Sequence, residues 1–339
     1  MKCLVTGATG HIGNVVIREL YARGYQVTAL VLPKDKVHMI EAYCNIIYGN
    51  ILDSTFLLEN VKDFDIVFHL AGIVEIGTGN KKQLFRVNIE GTKNILNACQ
   101  VNHIPRLVYT SSVHAIEELP KTEVMKEVDL FDPNKVKGLY AKSKAIATDL
   151  VLHQTDPSLE VVIVHPSGVI GPYDYQLSNI SQLFIDFLMG RLGAYMSGGY
   201  NFVDVRDVAF GIVQAGLIGK NKECYILSGE EITVKELLDK IAEYTGTKKV
   251  KTKLAYWFIL SMSYFAEIYY KIVKRKPLFT HYSIVVLRSN YHFSNDKAKK
   301  ELGFKVRNIN ETICDAIDFA QIEFLVKKGH KFKRKSLDS

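Results

Sequence analysis

Residues 2–6, Lys-Cys-Leu-Val-Thr, form a short apolar run that breaks into Gly7-Ala-Thr-Gly10-His-Ile-Gly13 and then into Asn14-Val-Val-Ile-Arg-Glu-Leu20-Tyr-Ala-Arg-Gly24. The run suits a buried parallel strand. Ile12, Val16 and Leu20 keep helical spacing, and Gly24 supplies a C-terminal stop. Strand, glycine loop and helix thus stand in the order that a dinucleotide demands. Glycine permits the tight turn, lets backbone approach a pyrophosphate and brings helix against strand. Free amides at the helix start then face the phosphates. The expected contacts are Gly7, Thr9, Gly10, His11 and Ile12.

The alternation begun there continues. Ile46–Tyr48 leads into a helix near Thr55–Val61, Asn88–Cys99 is helical, and Leu107–Thr110 is a strand. Tyr140–His153 is a helix and Val161–Val164 another strand. Strands alternating with helices to about residue 170 predict a parallel sheet covered on both faces, with ligand beyond the C-terminal strand ends. The expected fold class is α/β: a Rossmann-type doubly wound parallel sheet with a smaller C-terminal α/β substrate-binding region. The expected division is a nucleotide domain over 1–170, completed by about 201–228, a substrate region over 171–200 and 229–325, and a basic tail over 326–339. In the second half, Asn179–Met189 reads as a helix, a further helix runs through Leu217, and Cys224–Leu227 reads as a strand. Thr233-Val-Lys-Glu236 is a capping box that opens a helix to about Tyr244. The polar interval 115–138, with Pro120 and Pro133, is expected as a surface excursion lining the cleft. Asp204 and Asp207 flank Arg206 and are expected to make ion pairs and caps rather than a metal site.

Tyr140-Ala-Lys-Ser-Lys144 places a lysine four residues after a tyrosine, on the same helix face, with Ser112 at the end of an apolar strand upstream. A free tyrosine titrates near pH ~10 and transfers protons poorly at neutrality. A neighbouring ammonium favours the phenolate and is expected to pull the tyrosine pKa down.

In these segments the chain resembles the extended short-chain dehydrogenase/reductase family, and Pro277-Leu-Phe-Thr280 and Phe293-Ser-Asn-Asp-Lys-Ala-Lys-Lys-Glu-Leu-Gly303 resemble the C-terminal end of its dihydroflavonol reductase-like members. The resemblance rests on the Gly-x-x-Gly-x-x-Gly spacing, Asp53 in Gly49-Asn-Ile-Leu-Asp53, Leu70-Ala-Gly72, Val87-Asn88-Ile-Glu-Gly-Thr92, Leu107-Val-Tyr-Thr-Ser-Ser112 and His165-Pro-Ser-Gly-Val-Ile-Gly-Pro172. It implies that Tyr140 is the general acid and base, that Lys144 lowers its pKa and binds the nicotinamide ribose, and that Ser112 binds the substrate oxygen. Ser111 is the neighbouring candidate. It also implies that Asn88 is a scaffold residue, that Asp53, followed by Ser54, lies near adenine, and that the protein forms a homodimer.

The cofactor is NADP or NAD. Val31 stands where an acid for the ribose is expected and Leu32 where relatives carry arginine, while Lys34 and Lys36 tilt the expectation toward NADP(H). Sugar-nucleotide epimerases of this family continue the serine strand into Val-Tyr-Gly, and the dehydratases carry an Asp-Glu pair. This chain reads Ser112-Val-His-Ala-Ile116. The expectation is therefore an oxidoreductase acting on a carbonyl or secondary alcohol, with a sugar-nucleotide epimerase or dehydratase as the alternative and a non-catalytic redox sensor as a second. His114 is either a substrate contact or a polar loop residue.

Five scattered cysteines with no Cys-x-x-Cys argue against a disulfide framework or zinc site and suit a reducing cytoplasm. With the first strand read as beginning at residue 2, no signal peptide is expected. Much of the net charge of +7 comes from Lys327, Lys328, Lys331, Lys333, Arg334 and Lys335, a solvated tail rather than a nucleic-acid surface. The apolar run 254–273 is interrupted by Glu267 and Lys271 and is expected to cover the substrate cleft without stable membrane insertion. The expected partner is a small-molecule substrate.

Overall fold

The protein is represented by a computed structural model that describes residues 1–74, 80–261 and 281–328. The first half comprises β1 (Lys2–Thr6), α1 (His11–Ala22), β2 (Gln26–Val31), β3 (Asn45–Tyr48), α2 (Ser54–Asn60), β4 (Ile66–His69), α3 (Lys81–Phe85), α4 (Thr92–Val101), β5 (Arg106–Thr110), α5 (Leu139–Leu152) and β6 (Glu160–Pro166). There follow β7 (Gly168–Ile170), α6 (Asn179–Leu188), β8 (Ala194–Met196), β9 (Gly199–Asp204), α7 (Val205–Ile218), β10 (Glu223–Leu227), β11 (Glu230–Thr233), α8 (Val234–Thr245) and β12 (Thr252–Leu254). Helices His281–Val286, Asp296–Leu302 and Ile309–Ala320 come last.

Seven parallel strands form one sheet in the order β3-β2-β1-β4-β5-β6-β10. The order reverses between β1 and β4, and such a switch point opens a crevice at the carboxyl ends of the strands. Thr6, the last residue of β1, sits level with Leu30 of β2 and His69 of β4. The loop after β1 therefore emerges into that crevice. Side-chain alternation along β1 explains the two layers. Cys3 and Val5 join the core with Val16, Ile17, Val208 and Ile212 of α1 and α7, whereas Leu4 joins Leu57, Ile95 and Ala145 of α2, α4 and α5 on the opposite face.

A third core packs Ile170, Phe184, Leu237, Ile241, Ile313 and Ile317. It lies beside a three-stranded sheet, β11-β9-β7, and a β12–β8 pair. Three- and four-residue strands such as β7, β8, β11 and β12 are too short for alternation to mark them in the sequence. The capping box at Thr233 and Glu236 forms as read. Asp204 caps α7 and pairs with Arg206, which also binds Asp315, and Arg307 reaches Asp207. Ion pairs and a cap occupy this cluster.

The interval 115–138 is largely exposed and lines the cleft as expected, and it is also anchored. Ile116, Met125, Phe131 and Val136 are buried, and Met125 pairs with the chain at His292–Ser294 through two backbone hydrogen bonds. Its polar composition hides four apolar anchors that have no period. No helix among the described residues is long and apolar enough to cross a membrane. Most of the 254–273 run (from residue 262), the segment 277–280 and tail residues 329–339 lie outside the described residues.

Candidate active site

β5 delivers two adjacent serines to the sheet's C-terminal edge, and the helix behind it separates their roles. Thr148 Oγ1 gives its proton to Lys144 O at 2.7 Å, so Ser111 Oγ donates to Thr148 Oγ1 at 2.6 Å and ties β5 to α5. Ser112 turns the other way. Its hydroxyl accepts from His114 N–H at 3.3 Å and lies on the side of Tyr140, whose pKa it draws down. Tyr140 and Lys144 both lie in α5, one turn apart, and both are buried. Lys144 Nζ donates to Thr110 O at 2.8 Å and sits 4.9 Å from the centre of the Tyr109 ring. Serine, tyrosine and lysine are thus gathered at one end of β5.

Their protonation differs from the expectation. Burial pushes Tyr140 up to about 12, with the nearby Ser112 hydroxyl acting in the opposite direction. Burial likewise pushes Lys144 down to about 7. The dominant influence on each group is loss of water rather than the charge of the other, and i,i+4 spacing alone carries no information about burial.

The floor of the site is fixed by a chain of neutral hydrogen bonds. Thr92 Oγ1 donates to Asn88 O at 2.7 Å and so accepts from His69 Nε2 at 3.0 Å. His69 Nδ1 then accepts from Thr6 Oγ1 at 2.7 Å, and Thr6 Oγ1 accepts from Ala71 N–H at 3.2 Å. Burial holds His69 down at about 3, which keeps the ring neutral as this chain of bonds requires. Asn88 sits in a π-helical turn, Arg86–Gly91. Its side chain accepts from Ile73 N–H at 2.8 Å and donates to Ile73 O at 3.1 Å and to Ser143 Oγ at 2.9 Å. Asn88 therefore joins the segment that follows β4 to the helix that carries Tyr140, in the scaffold role expected of it.

His114, two residues after Ser112, is a half-buried part of the site. Its Nε2 hydrogen-bonds Tyr200 Oη at 2.7 Å, and its ring lies edge-on to Tyr140 with centroids 6.1 Å apart. Both residues line a cleft with Val113, Ile116, Met125 and Phe293. Tyr200 had no sequence signal. It lies 86 residues from His114, and only the pairing of β9 with β7 brings it to the cleft.

Residues 3–225 match the NAD dependent epimerase/dehydratase family. The chain belongs to that family. It is 28% identical over 322 residues to sterol demethylase protein B of Methylococcus capsulatus, covering 94% of this chain and 97% of that protein. It is 30% identical over 328 residues to a putative dihydroflavonol 4-reductase of Synechocystis, covering 95% of each. It is 25% identical over 320 residues to sterol-4-alpha-carboxylate 3-dehydrogenase, decarboxylating, of Mus musculus, covering 90% of this chain and 86% of that protein. The crystal structure of gox2253 superposes with a TM-score of 0.82 at 30% identity, covering 95% of this chain and 98% of the other. UDP-glucuronic acid 4-epimerase from Bacillus cereus, solved with NAD, shares the fold with a TM-score of 0.75 at 20% identity, covering 96% and 100% of the two chains. The protein is an NAD(P)-dependent enzyme of the extended short-chain type.

The glycine loop of this family member fits such a nucleotide. A Cβ on Gly7 would meet Ala71 N at 2.6 Å, and one on Gly13 would meet Gly7 O at 2.2 Å, so both positions press backbone on backbone. A Cβ on Gly10 would meet only Gly7 O, at 3.2 Å, and otherwise project into open space where a pyrophosphate can approach. The first amide bonded within α1 is Asn14 N–H, to Gly10 O, so the amides of His11, Ile12 and Gly13 precede the helix's own ladder. The His11 ring bonds Pro172 O at 3.0 Å, which assigns its side chain to holding the loop. Thr9 accepts Gln176 Nε2 on its carbonyl at 3.0 Å.

The remaining sequence candidates are more dispersed. Asp53 is exposed and caps α2 by accepting from Phe56 N–H at 3.0 Å, with Ser54 the first helical residue after it. Leu32 opens a turn after β2 on which Lys34 and Lys36 are exposed. Asp35, which carried no expectation, folds back from that turn and accepts from Thr9 Oγ1 at 3.2 Å. Gly72 lies beside α5, where a Cβ would come 3.5 Å from Lys144 Nζ.

Proposed function

We propose that this enzyme passes hydride between nicotinamide and the carbon of a carbonyl or secondary alcohol, with Tyr140 donating the proton in reduction and accepting it in oxidation. The observation that supports this most is the gathering of Ser112, just past the carboxyl end of β5, with Tyr140 and Lys144, one helical turn apart in α5, all three buried. NAD(P)H, when bound, supplies the hydride. Burial keeps the Tyr140 phenol protonated to about 12, and an alkoxide forming in the cleft is a much stronger base, so the proton moves downhill. Ser112 steadies the same oxygen as charge develops on it. Lys144, near Gly72, is the group that binds nicotinamide ribose hydroxyls in this reading.

In this reading the substrate is ring-bearing and largely apolar, with the cleft beside His114 offering both apolar and polar groups, among them Tyr200, Ser289 and Asn290. Val113, Ile116, Met125, Val136 and Phe293 line it, and among its described lining residues the basic group besides His114 is Lys137, paired with Glu118 at 2.8 Å. A sugar nucleotide needs cations for its diphosphate, whereas the relatives named for sterols and for a dihydroflavonol point to fused rings. Turnover of cyclic ketones should fall about 10²- to 10⁴-fold in Tyr140→Phe while NADH still binds. Near-full activity in that variant removes the assignment. Interconversion of UDP-sugars without net nicotinamide consumption would replace it with the epimerase reading.

A further inference from the structure

β2 ends on Val31, and neither Val31 nor Leu32 can contact a ribose hydroxyl or a phosphate through a polar side chain. The acid that the strand lacks is supplied from further along the chain. Pro33 and Lys34 form a turn closed by Asp35 N–H donating to Leu32 O at 2.9 Å, with proline at the position whose φ it presets. The Asp35 carboxylate then returns toward the strand end. Its Oδ2 accepts from Leu32 N–H at 3.3 Å and from Thr9 Oγ1, inside the glycine loop, at 3.2 Å. Thr9 is itself clasped by Gln176. The carboxylate is therefore fixed between the end of β2 and the loop that receives the pyrophosphate, and the adenosine ribose of a dinucleotide lies between those two features. Lys34 and Lys36, the side chains that favoured a 2′-phosphate, are exposed on the outside of the same turn.

We propose that Asp35 is the residue that selects the cofactor, accepting hydrogen bonds from the adenosine ribose hydroxyls of NAD(H) and repelling the 2′-phosphate of NADP(H). The enzyme is thereby NAD(H)-preferring, against the tilt that the two lysines gave. A carboxylate offers two oxygens and several lone pairs, so Oδ1 remains for the ribose while Oδ2 holds the turn. This assignment concerns the adenosine end alone, and a failure of the Tyr140 chemistry leaves it unchanged.

Calorimetric titration of the purified protein with NADH and with NADPH, in the absence of substrate, tests it. The wild type should bind NADH roughly ten- to a hundredfold more tightly, the effect of one charge-assisted hydrogen bond together with the repulsion of a phosphate. Asp35→Asn keeps an oxygen for Leu32 N–H and Thr9 but removes the charge, and should bring the two affinities to within about threefold of one another, with the unliganded thermal midpoint unmoved. Wild-type affinity for NADPH equal to or above that for NADH overturns the proposal, as does an unchanged ratio in the variant. Salt gives an independent reading on the wild type, should the variant not fold. If Asp35 repels the phosphate, the affinity for NADPH relative to NADH rises as added salt screens it, and if the lysines attract the phosphate the ratio falls. A fall sinks the proposal.

Discussion

Replacing Lys144 by methionine separates what this side chain does for the reaction from what it does to the fold. Its ammonium is buried and depressed from 10.5 to about 7. The unfolded chain therefore binds more protons than the folded one between those two values, and wild-type stability rises with pH across that window. At pH 7 the burial penalty amounts to about 4 kcal/mol, and at pH 10 less than about 1 kcal/mol of it is left, at roughly 1.4 kcal/mol per pH unit. Lys144→Met removes the penalty. It also strands Thr110 O, which now accepts from Nζ at 2.8 Å, at about 1–3 kcal/mol, and ends the contact with the Tyr109 ring, at about 1 kcal/mol. At pH 7 the variant should be as stable as the wild type or up to about 2 kcal/mol more so, while turnover is lost. Between pH 7 and pH 10 the wild type should gain about 3 kcal/mol relative to the variant, read from denaturant titrations of both proteins without nucleotide. A gap that does not change with pH, or that shifts toward the variant, would show that Lys144 is not held in a desolvated site.

The two serines should separate kinetically. Ser112→Ala is expected to lower kcat about 10- to 1000-fold with NADH affinity intact, because its hydroxyl faces Tyr140, whereas Ser111→Ala, whose hydroxyl meets Thr148, should act on stability first. Equal kinetic losses would contradict the division. Gly13→Ala should fail to accumulate as folded protein, since its Cβ would lie 2.2 Å from Gly7 O, while Gly10→Ala should fold and lose affinity for nucleotide, checked by circular dichroism and calorimetry. Asn88→Ala breaks three hydrogen bonds to Ile73 and Ser143 and should lower stability by about 2–4 kcal/mol, and an unaltered denaturation midpoint would refute its bridging role.

Much of the fold was legible because it follows from period and punctuation. Leu4 alternates with Cys3 and Val5 to serve two cores, and Gly7 and Gly13 announce backbone contacts that any larger residue would block. The co-location of Ser112, Tyr140 and Lys144 was equally readable from their order on one strand and one helix. What escaped the sequence depends on distance through the fold. Tyr200 reaches His114 only through the short β7–β9 sheet, and Phe131 stacks on His165 from a segment whose polar composition suggested a surface loop. The burial that raises Tyr140 and lowers Lys144 is likewise a property of the packed cleft, and spacing alone predicted the opposite direction for the phenol. Asp35 had a signal of a kind, a proline turn directly after β2, but its return to Thr9 is visible only once the loop is built.

A crystal structure with NAD and a bound cyclic alcohol would test the central claim most directly. The substrate oxygen should lie within hydrogen-bond distance of both Tyr140 Oη and Ser112 Oγ, with its carbinol carbon facing the nicotinamide C4. A substrate oxygen bound elsewhere in the cleft, with Tyr140 turned away from the nicotinamide ring, would contradict it.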